Sequence, residues 1–326
     1  DEILQQSPDG VVAGIAGATK GVLHGMLDQQ IARELFAAIA EARSVELQHG
    51  RLVASRTMAF DEVREQAPDA DLTPVVPSIE RANSSIRFGE RYVLKLVRRV
   101  WHGLSHEVEM GRFLTERAHF PRVPRLAGTI EVRWADGDQA VVGLLHAFVP
   151  HQTDGWSRML GGLERYFESA VAWDVGQAQA DPMPKLAGAP VPEEARRTVG
   201  TALEMVSTLG RRTAELHLTL AGESAVSEFG TKFADGAWIV ELIARVRRQA
   251  EATLSVLAAA SARPASAATP LIDTLVASRD RLRAAAESLA RRVPAGLQLT
   301  RIHGSYDLGQ VLLSEADFII IDFEGD

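Results

Sequence analysis

The chain has 326 residues, a net charge of −8 and a pI near 5.7, a balance that argues against a nucleic-acid partner because affinity for phosphate backbones comes from clustered cations. Mean hydropathy is −0.03 and no apolar run approaches the roughly 18–20 residues that span a bilayer, so the sequence reads as a soluble protein of several lobes without a membrane segment. Zero cysteines exclude disulfides, thiolate catalysis and Cys-zinc sites, and agree with a cytoplasmic location.

The opening DEILQQSPDG has neither a basic region nor an apolar core, and reads as neither a signal peptide nor a native beginning. Gly10 to Leu27 is rich in glycine, with material for turns and short strands. Asp28 is placed to cap a helix reaching about Arg43, with Ile31, Leu35 and Ile39 on one face. SVELQHGRLVASRT reads as a hairpin turning at His49-Gly50. Residues 1–78 are thus expected to form an N-terminal cap subdomain. Residues 79–150 are β-rich. SSIRFGERYVLKLVRR gives two strands around Gly89-Glu90, a helix runs from Ser105 to about Arg117, and TIEVRW and QAVVGLLHAFV give two more strands. Asn83-Ser84-Ser85 reads as a strand-entry turn, and His146 to Pro150 closes the last strand.

After Pro150 the pattern becomes helical. GQAQADPMPKLAGAPVPEE is a surface loop, and Pro192 opens a long helix striped by Val199, Leu203, Val206, Leu209 and Leu216. Further helices are predicted over about Trp238–Ala260 and Leu271–Arg292. No string of the form GxGxxG and no Walker A motif occurs, which excludes Rossmann and P-loop readings.

The densest information is in the last residues, RIHGSYDLGQVLLSEADFIIIDFEGD. Val311–Leu313 and Phe318–Ile321 read as two strands around a tight turn, a hairpin that returns Asp322 toward Gln310. One neutral and one charged oxygen ligand there suit Mg²⁺ carried in on nucleotide phosphates, the layout of a kinase catalytic loop followed by a metal-binding aspartate. Lys95, flanked by apolar residues on its strand, reads either as a lysine snorkelling at a sheet surface or as the phosphate-holding lysine of such a site. Glu109, bordering the apolar stripe of the next predicted helix, is the expected carboxylate partner; Glu107 is expected to point away.

His303-Gly304-Ser305-Tyr306-Asp307-Leu308-Gly309-Gln310-Val311-Leu312, followed by Ile321-Asp322-Phe323-Glu324-Gly325, resembles the signature of bacterial maltokinases. These belong to the aminoglycoside-phosphotransferase-like branch of the protein-kinase-like fold and often occur fused to trehalose synthase. HEVEMGRFL and the LGRRTAELH helix segment resemble the same family. The resemblance implies an α+β, bilobal protein-kinase-like fold with an N-terminal cap subdomain, a β-rich nucleotide-binding N-lobe over 79–150 and a helical C-lobe over 151–326 that reads as truncated after the hairpin. It implies ATP and Mg²⁺ as cofactors, maltose as acceptor, maltose 1-phosphate as product, and a fused or associated trehalose synthase as partner. Asn83, Ser84, Ser85, Lys95 and Glu109 would hold phosphates, and Ala147 and Val149 would meet adenine through backbone atoms. His303 and Tyr306 would face the sugar, while Gln310, Asp322 and Glu324 would hold the metal.

Two departures fall on the chemistry. Ser305 occupies the position of the family's catalytic aspartate and Asp307 that of its histidine. A serine is neutral near pH 7 and cannot take the acceptor's proton; losing a positioned base costs about 10²–10⁴ in rate. Asp307 lies roughly 7 Å further along an extended chain, too far to substitute without a re-formed loop. The alternatives are therefore a catalytically degenerate kinase-fold binding module and a kinase of another sugar such as glucosamine.

Overall fold

The computed structural model describes residues 13–14, 22–23, 29–75, 83–97, 100, 102–103, 105–170, 190–191, 193–222, 229–261, 268–290, 292 and 296–323. The Asp28 cap, the loop before Pro192 and Glu324 lie outside them. Short strands β1 (Ala13–Gly14) and β2 (Val22–Leu23) pair antiparallel. Helix α1 (Gln29–Ala40) leads to the hairpin of β3 (Ser44–Leu47) and β4 (Gly50–Arg56), which turns at His49-Gly50 as expected. Then come α2 (Met58–Glu65), β5 (Pro74–Val75), β6 (Asn83–Phe88) and β7 (Tyr92–Val97), with Gly89 at φ +54° in the β6–β7 turn.

Helix α3 (His106–Arg112) is N-capped by Ser105 and runs into a π-helical turn, Phe113–Arg117. Strands β8 (Leu126–Trp134) and β9 (Gln139–Ala147) follow. Seven strands form one antiparallel sheet in the order β3-β4-β8-β9-β7-β6-β5. This corrects the boundary drawn at residue 78: β3, β4 and β5 continue the sheet of residues 83–147, because β4 pairs along its whole length with β8. Asn83-Ser84-Ser85 is likewise not a turn before the strand but the start of β6.

Strand alternation gives this sheet two chemically different faces. Ile86, Phe88, Tyr92, Leu94 and Leu96 point to a core shared with Phe36 and Ile39 of α1 and Phe60 and Val63 of α2. Phe36 lies 4.6 Å from Phe88 and Phe60 lies 5.2 Å from Tyr92, ring centroid to centroid. The Tyr92 hydroxyl donates to the Phe60 carbonyl at 2.8 Å, and burial pushes its pKa up to about 12. A Cβ on Gly128 would come within 2.4 Å of Ile39, so α1 packs this closely only against glycine. The alternate residues, Ser85, Arg87, Val93 and Lys95, are left on the opposite face.

Beyond the sheet, β10 (Thr153–Asp154) and α4 (Gly155–Ala170) precede the long α5 (Glu193–Ala221), which is kinked at Val199. Residues 220–301 make a separate compact unit, with β11 (Lys232–Phe233), α6 (Gly236–Ser261), α7 (Thr269–Ala277), α8 (Arg279–Ala290) and β12 (Gln298–Leu299). The single helix expected over Leu271–Arg292 is two, interrupted at Ser278. Within that unit Glu251 bridges Arg279 and Arg283 at 3.0 and 2.6 Å.

The chain then returns to the first unit, where β13 (Val311–Ser314) and β14 (Asp317–Ile320) form the expected hairpin, with β10 beside β13. Its two turn residues, Glu315 and Ala316, both have positive φ, the geometry that tight hairpins of this kind require. Asp317 is clamped from outside the hairpin: Arg212 of α5 donates to both its carboxylate oxygens at 2.8 and 2.7 Å, and Arg122 lies at 3.0 Å. Arg212 also donates to Glu215. Hydrogen bonds from Arg212 hold the Asp317 carboxyl below its ordinary 3.8, helped by the Phe318 N–H and the Arg122 charge. The folded pKa is depressed, so this contribution is present above about pH 4 and is lost as pH falls below it. Asp317→Asn and Arg212→Ala are each expected to cost about 1.5–3 kcal/mol in urea unfolding at pH 7. The cost of Asp317→Asn should shrink below pH 4.

Candidate active site

A cavity of about 410 Å³ opens on the polar face of the sheet. Ser85, Arg87, Val93 and Lys95 form its roof, Glu107, Gly111 and Leu114 one wall, and Leu312, Ile321 and Asp322 its floor. His146 and the segment Ala147–Val149 close one side.

At its centre the Lys95 ammonium donates to both oxygens of Glu107, at 3.2 and 3.1 Å, and makes a short hydrogen bond to Asp322 Oδ1. The three side chains are 8, 12 and 24% exposed. Such a cation is tolerable at this depth because two carboxylates compensate it. Glu107, not Glu109, is therefore the partner of Lys95, a correction with a clear cause. Helix α3 docks with Glu107, Gly111 and Leu114 in line at one-turn spacing toward the cavity, whereas Glu109 lies about 200° round the helix from Glu107. The His106 imidazole, at 3.3 Å from the Ile302 carbonyl, ties the start of this helix to the C-terminal loop.

Asp322 follows β14 in the left-handed region, at φ +66°, which is uncommon for a residue other than glycine and characteristic of strained functional positions. Its backbone is held from both sides. The Ile321 N–H donates to the Gln310 carbonyl at 2.9 Å, and the Ile321 carbonyl accepts from His303 Nε2 at 2.7 Å. The hairpin thus sets Gln310 beside Ile321, one residue from Asp322. His303 is 2% exposed, and its ring stacks on Phe323 at 4.5 Å. It is a buried positioning residue and not the sugar contact expected of it, because burial leaves it no accessible surface. Tyr306 too is held inward: its hydroxyl hydrogen-bonds Thr213 Oγ1 at 3.0 Å, and burial pushes its pKa up.

Ser305 and Asp307 are exposed on the loop before β13. Asp307 Oδ1 accepts the Gly309 N–H at 2.7 Å and caps the 3₁₀ turn Leu308–Gln310, so that carboxylate already has local work. Ser84 is fully buried on the core side of β6, with its hydroxyl unpartnered, so it cannot reach the cavity; Ser85, opposite Lys95 in the ladder, lines it. Ala147 and Val149, expected to meet adenine through backbone atoms, line the cavity. His151 donates to the Val149 carbonyl at 2.8 Å and steadies this segment.

Besides Glu107, set aside from the sequence in favour of Glu109, the lining includes polar side chains that the sequence did not single out, among them Arg87, whose guanidinium lies 5.8 Å from the Phe148 ring, and the side chain of His146. The alternation Ser85-x-Arg87 and Val93-x-Lys95 was the available signal. Burial pushes the pKa of His146 down to about 4, the Lys95 charge acts in the same direction, and Asp322 opposes it. Among the described residues no cluster of three or more His, Cys, Asp or Glu side chains could cage a metal ion, and no helix is long and apolar enough to cross a membrane.

The chain has a protein-kinase-like fold, a sheet-rich lobe followed by helices. It aligns with solved structures of glucosamine kinase, one in complex with glucosamine, ADP and inorganic phosphate, at TM-score 0.53 and 20% identity over 91% of this chain and 56% of that one. A second crystal form gives TM-score 0.53 at 19% identity over 91% of this chain and 55% of that one. A curated glucosamine kinase of Streptacidiphilus jiangxiensis is 25% identical over 254 residues, covering 76% of this chain and 47% of its own length. The chain thus spans about half the length of that curated relative. No family model matches the chain.

His146 and His303 both have pKa values below the ordinary 6.5 through burial, so the unfolded chain binds protons that the folded one refuses. Stability should be complete above about pH 6.5 and fall as pH drops toward 4. Urea midpoints at pH 7, 6 and 5 measure this slope, which should flatten in His146→Gln.

Proposed function

We propose that this chain is the nucleotide-binding and phosphoryl-transferring part of an ATP-dependent sugar kinase. The observation that carries the reading is the contact of the Lys95 ammonium with both Glu107 and Asp322 across one cavity. Lys95 has the placement to hold nucleotide phosphates, and Glu107 keeps it there. Val93 above and Leu312 below suit a flat base, whose edge would meet the Ala147–Val149 backbone. The Val149 N–H makes no hydrogen bond among the described residues, so it can serve such an edge.

Asp322, with the Gln310 side-chain carbonyl as a further oxygen donor, would suit a magnesium ion that keeps most of its ligands from phosphate and water; the family resemblance adds Glu324, which lies outside the described residues. A cation of this kind neutralises charge that develops on the transferred phosphoryl group. In the transfer the bond from the γ-phosphorus to the ADP oxygen breaks, and a bond to a sugar hydroxyl oxygen forms as that hydroxyl loses its proton. Ser305 can orient the hydroxyl but not accept the proton, so water takes it and the rate is lowered.

For the acceptor, the resemblance of the 303–325 segment to maltokinases supports the anomeric hydroxyl of maltose, and the glucosamine kinase relatives support glucosamine. A second reading, a kinase-fold module that binds nucleotide or sugar without turnover and supports an associated trehalose-converting enzyme, is favoured by Ser305 alone.

ADP release measured with maltose and with glucosamine separates these readings: turnover with either supports a kinase and identifies its sugar. Tight ADP binding with no turnover on either would favour the binding module. Ser305→Asp should raise kcat by about 10²–10⁴, and an unchanged rate would remove the role given to this position. Glu107→Gln should lower kcat/KM by about a hundredfold and Glu109→Gln by no more than about twofold.

A further inference from the structure

We propose that Glu131 and Arg112 are positioning residues that set the rotational phase of α3, so that Glu107 and not Glu109 meets Lys95. Their part in holding nucleotide phosphates rests on the kinase reading above; their part in the helix phase does not. Glu131 is only 7% exposed and lies on the face of β8 opposite Ile130, which points into the core shared with α1. Its carboxylate is fixed by its own strand: Thr129 Oγ1 donates to Oε1 at 3.0 Å, and Arg133 donates to Oε2 at 2.9 Å. Thr129 has a single hydroxyl proton, so Ser55 of β4 is the donor in the 2.9 Å bond between them. Onto this preset carboxylate comes Arg112 at the end of α3, with Nη2 3.5 Å from Oε1.

Apolar burial alone does not choose the phase of this helix. Val108, one turn before Arg112, packs with Leu126 and Leu144. Turning α3 by about 200° brings Glu109 to the place of Glu107 and Met110 to that of Val108. Methionine is the larger apolar residue and adapts to irregular gaps, so burial does not oppose the change. Leu114 then moves toward the place of Arg112. Glu131 would face a leucine, and one of its two cations would be withdrawn from a buried carboxylate. The contact at Arg112 is therefore the one that penalises the wrong phase. Gly111 permits it: an added Cβ there would lie 3.3 Å from Leu126, so a side chain would hold the helix off β8. With this phase set, Glu107 reaches the Lys95 ammonium at 3.1 Å.

A double-mutant cycle between positions 112 and 107 in the whole chain tests the proposal. The Arg112 side chain is 45% exposed, so Arg112→Met removes the charge and leaves the apolar packing in place. The side chains of Arg112 and Glu107 lie about 140° apart round the helix, and without a shared role their effects should add. Arg112→Met is expected to lower the urea midpoint by about 0.5 M in the wild-type background and by about half that once Glu107→Gln is present. Additive shifts would overturn the proposal. Isothermal titration with ADP and Mg²⁺ supplies a readout that a merely structural contact would not move. Arg112→Met should weaken ADP by about tenfold, Arg112→Lys should recover most of that loss, and in the Glu107→Gln background Arg112→Met should change affinity by less than about twofold. Unchanged ADP affinity in Arg112→Met would confine the pair to stability and overturn its positioning role. A wild-type protein that binds no ADP would overturn the nucleotide reading, and the urea cycle would still decide whether Arg112 and Glu131 set the phase of α3.

Discussion

A buried ammonium ion must be neutralised where it lies, and much of the first structural unit follows from how this chain meets that requirement for Lys95. One carboxylate arrives from the first turn of α3 and another from the end of the C-terminal hairpin, more than two hundred residues later. Either carboxylate could be lost only by leaving charge uncompensated in a site of low polarity. The contact therefore links the sheet, the helix beside it and the hairpin through a single group. In the kinase reading proposed above, it also collects in one place the charges that phosphoryl transfer needs.

The sheet works as a divider. Its strands alternate between a core face, where phenylalanines and Tyr92 pack under α1 and α2, and a cavity face, where the same strands present serine, arginine, lysine and histidine. The aromatic packing on one side fixes the strand register, and a register shift of one residue would exchange the two faces entirely. Placement of the polar groups is thus determined by apolar contacts they never touch. The hairpin is held in a comparable way at both ends. Arg212 and Arg122 fix Asp317 beside the turn, and His303 and Gln310 fix Ile321 at the open end. Directly after the second anchor, Asp322 is kept in a backbone conformation it would not choose alone.

The departure at Ser305 alters one part of this arrangement and leaves the rest intact. Under the proposed function, phosphates would be positioned by Lys95, Glu107 and Asp322, whereas the acceptor would meet the exposed loop of Ser305 and Asp307. Because Asp307 caps the turn that carries Gln310 into β13, it supports the geometry of the loop, and its distance along the chain keeps it from Ser305's place.

Much of this was legible beforehand. The C-terminal hairpin, the lysine strand, the turns at His49-Gly50 and Gly89 and the helical second half follow from period-two and period-3.6 patterns and from turn chemistry, which are local properties of the chain. Helix phase was not legible: whether Glu107 or Glu109 faces Lys95 depends on how α3 docks against Leu126 and the floor of the cavity, and both residues border an apolar stripe. Nor was the fate of His303 and Tyr306, whose burial is fixed by Phe323 and Thr213. By itself the sequence determined which elements form and which residue types they carry, since backbone preference and alternation act over a few neighbours. Only the tertiary structure decided which of those residues face one another, because the charge balance around Lys95 is struck between segments that meet solely through packing.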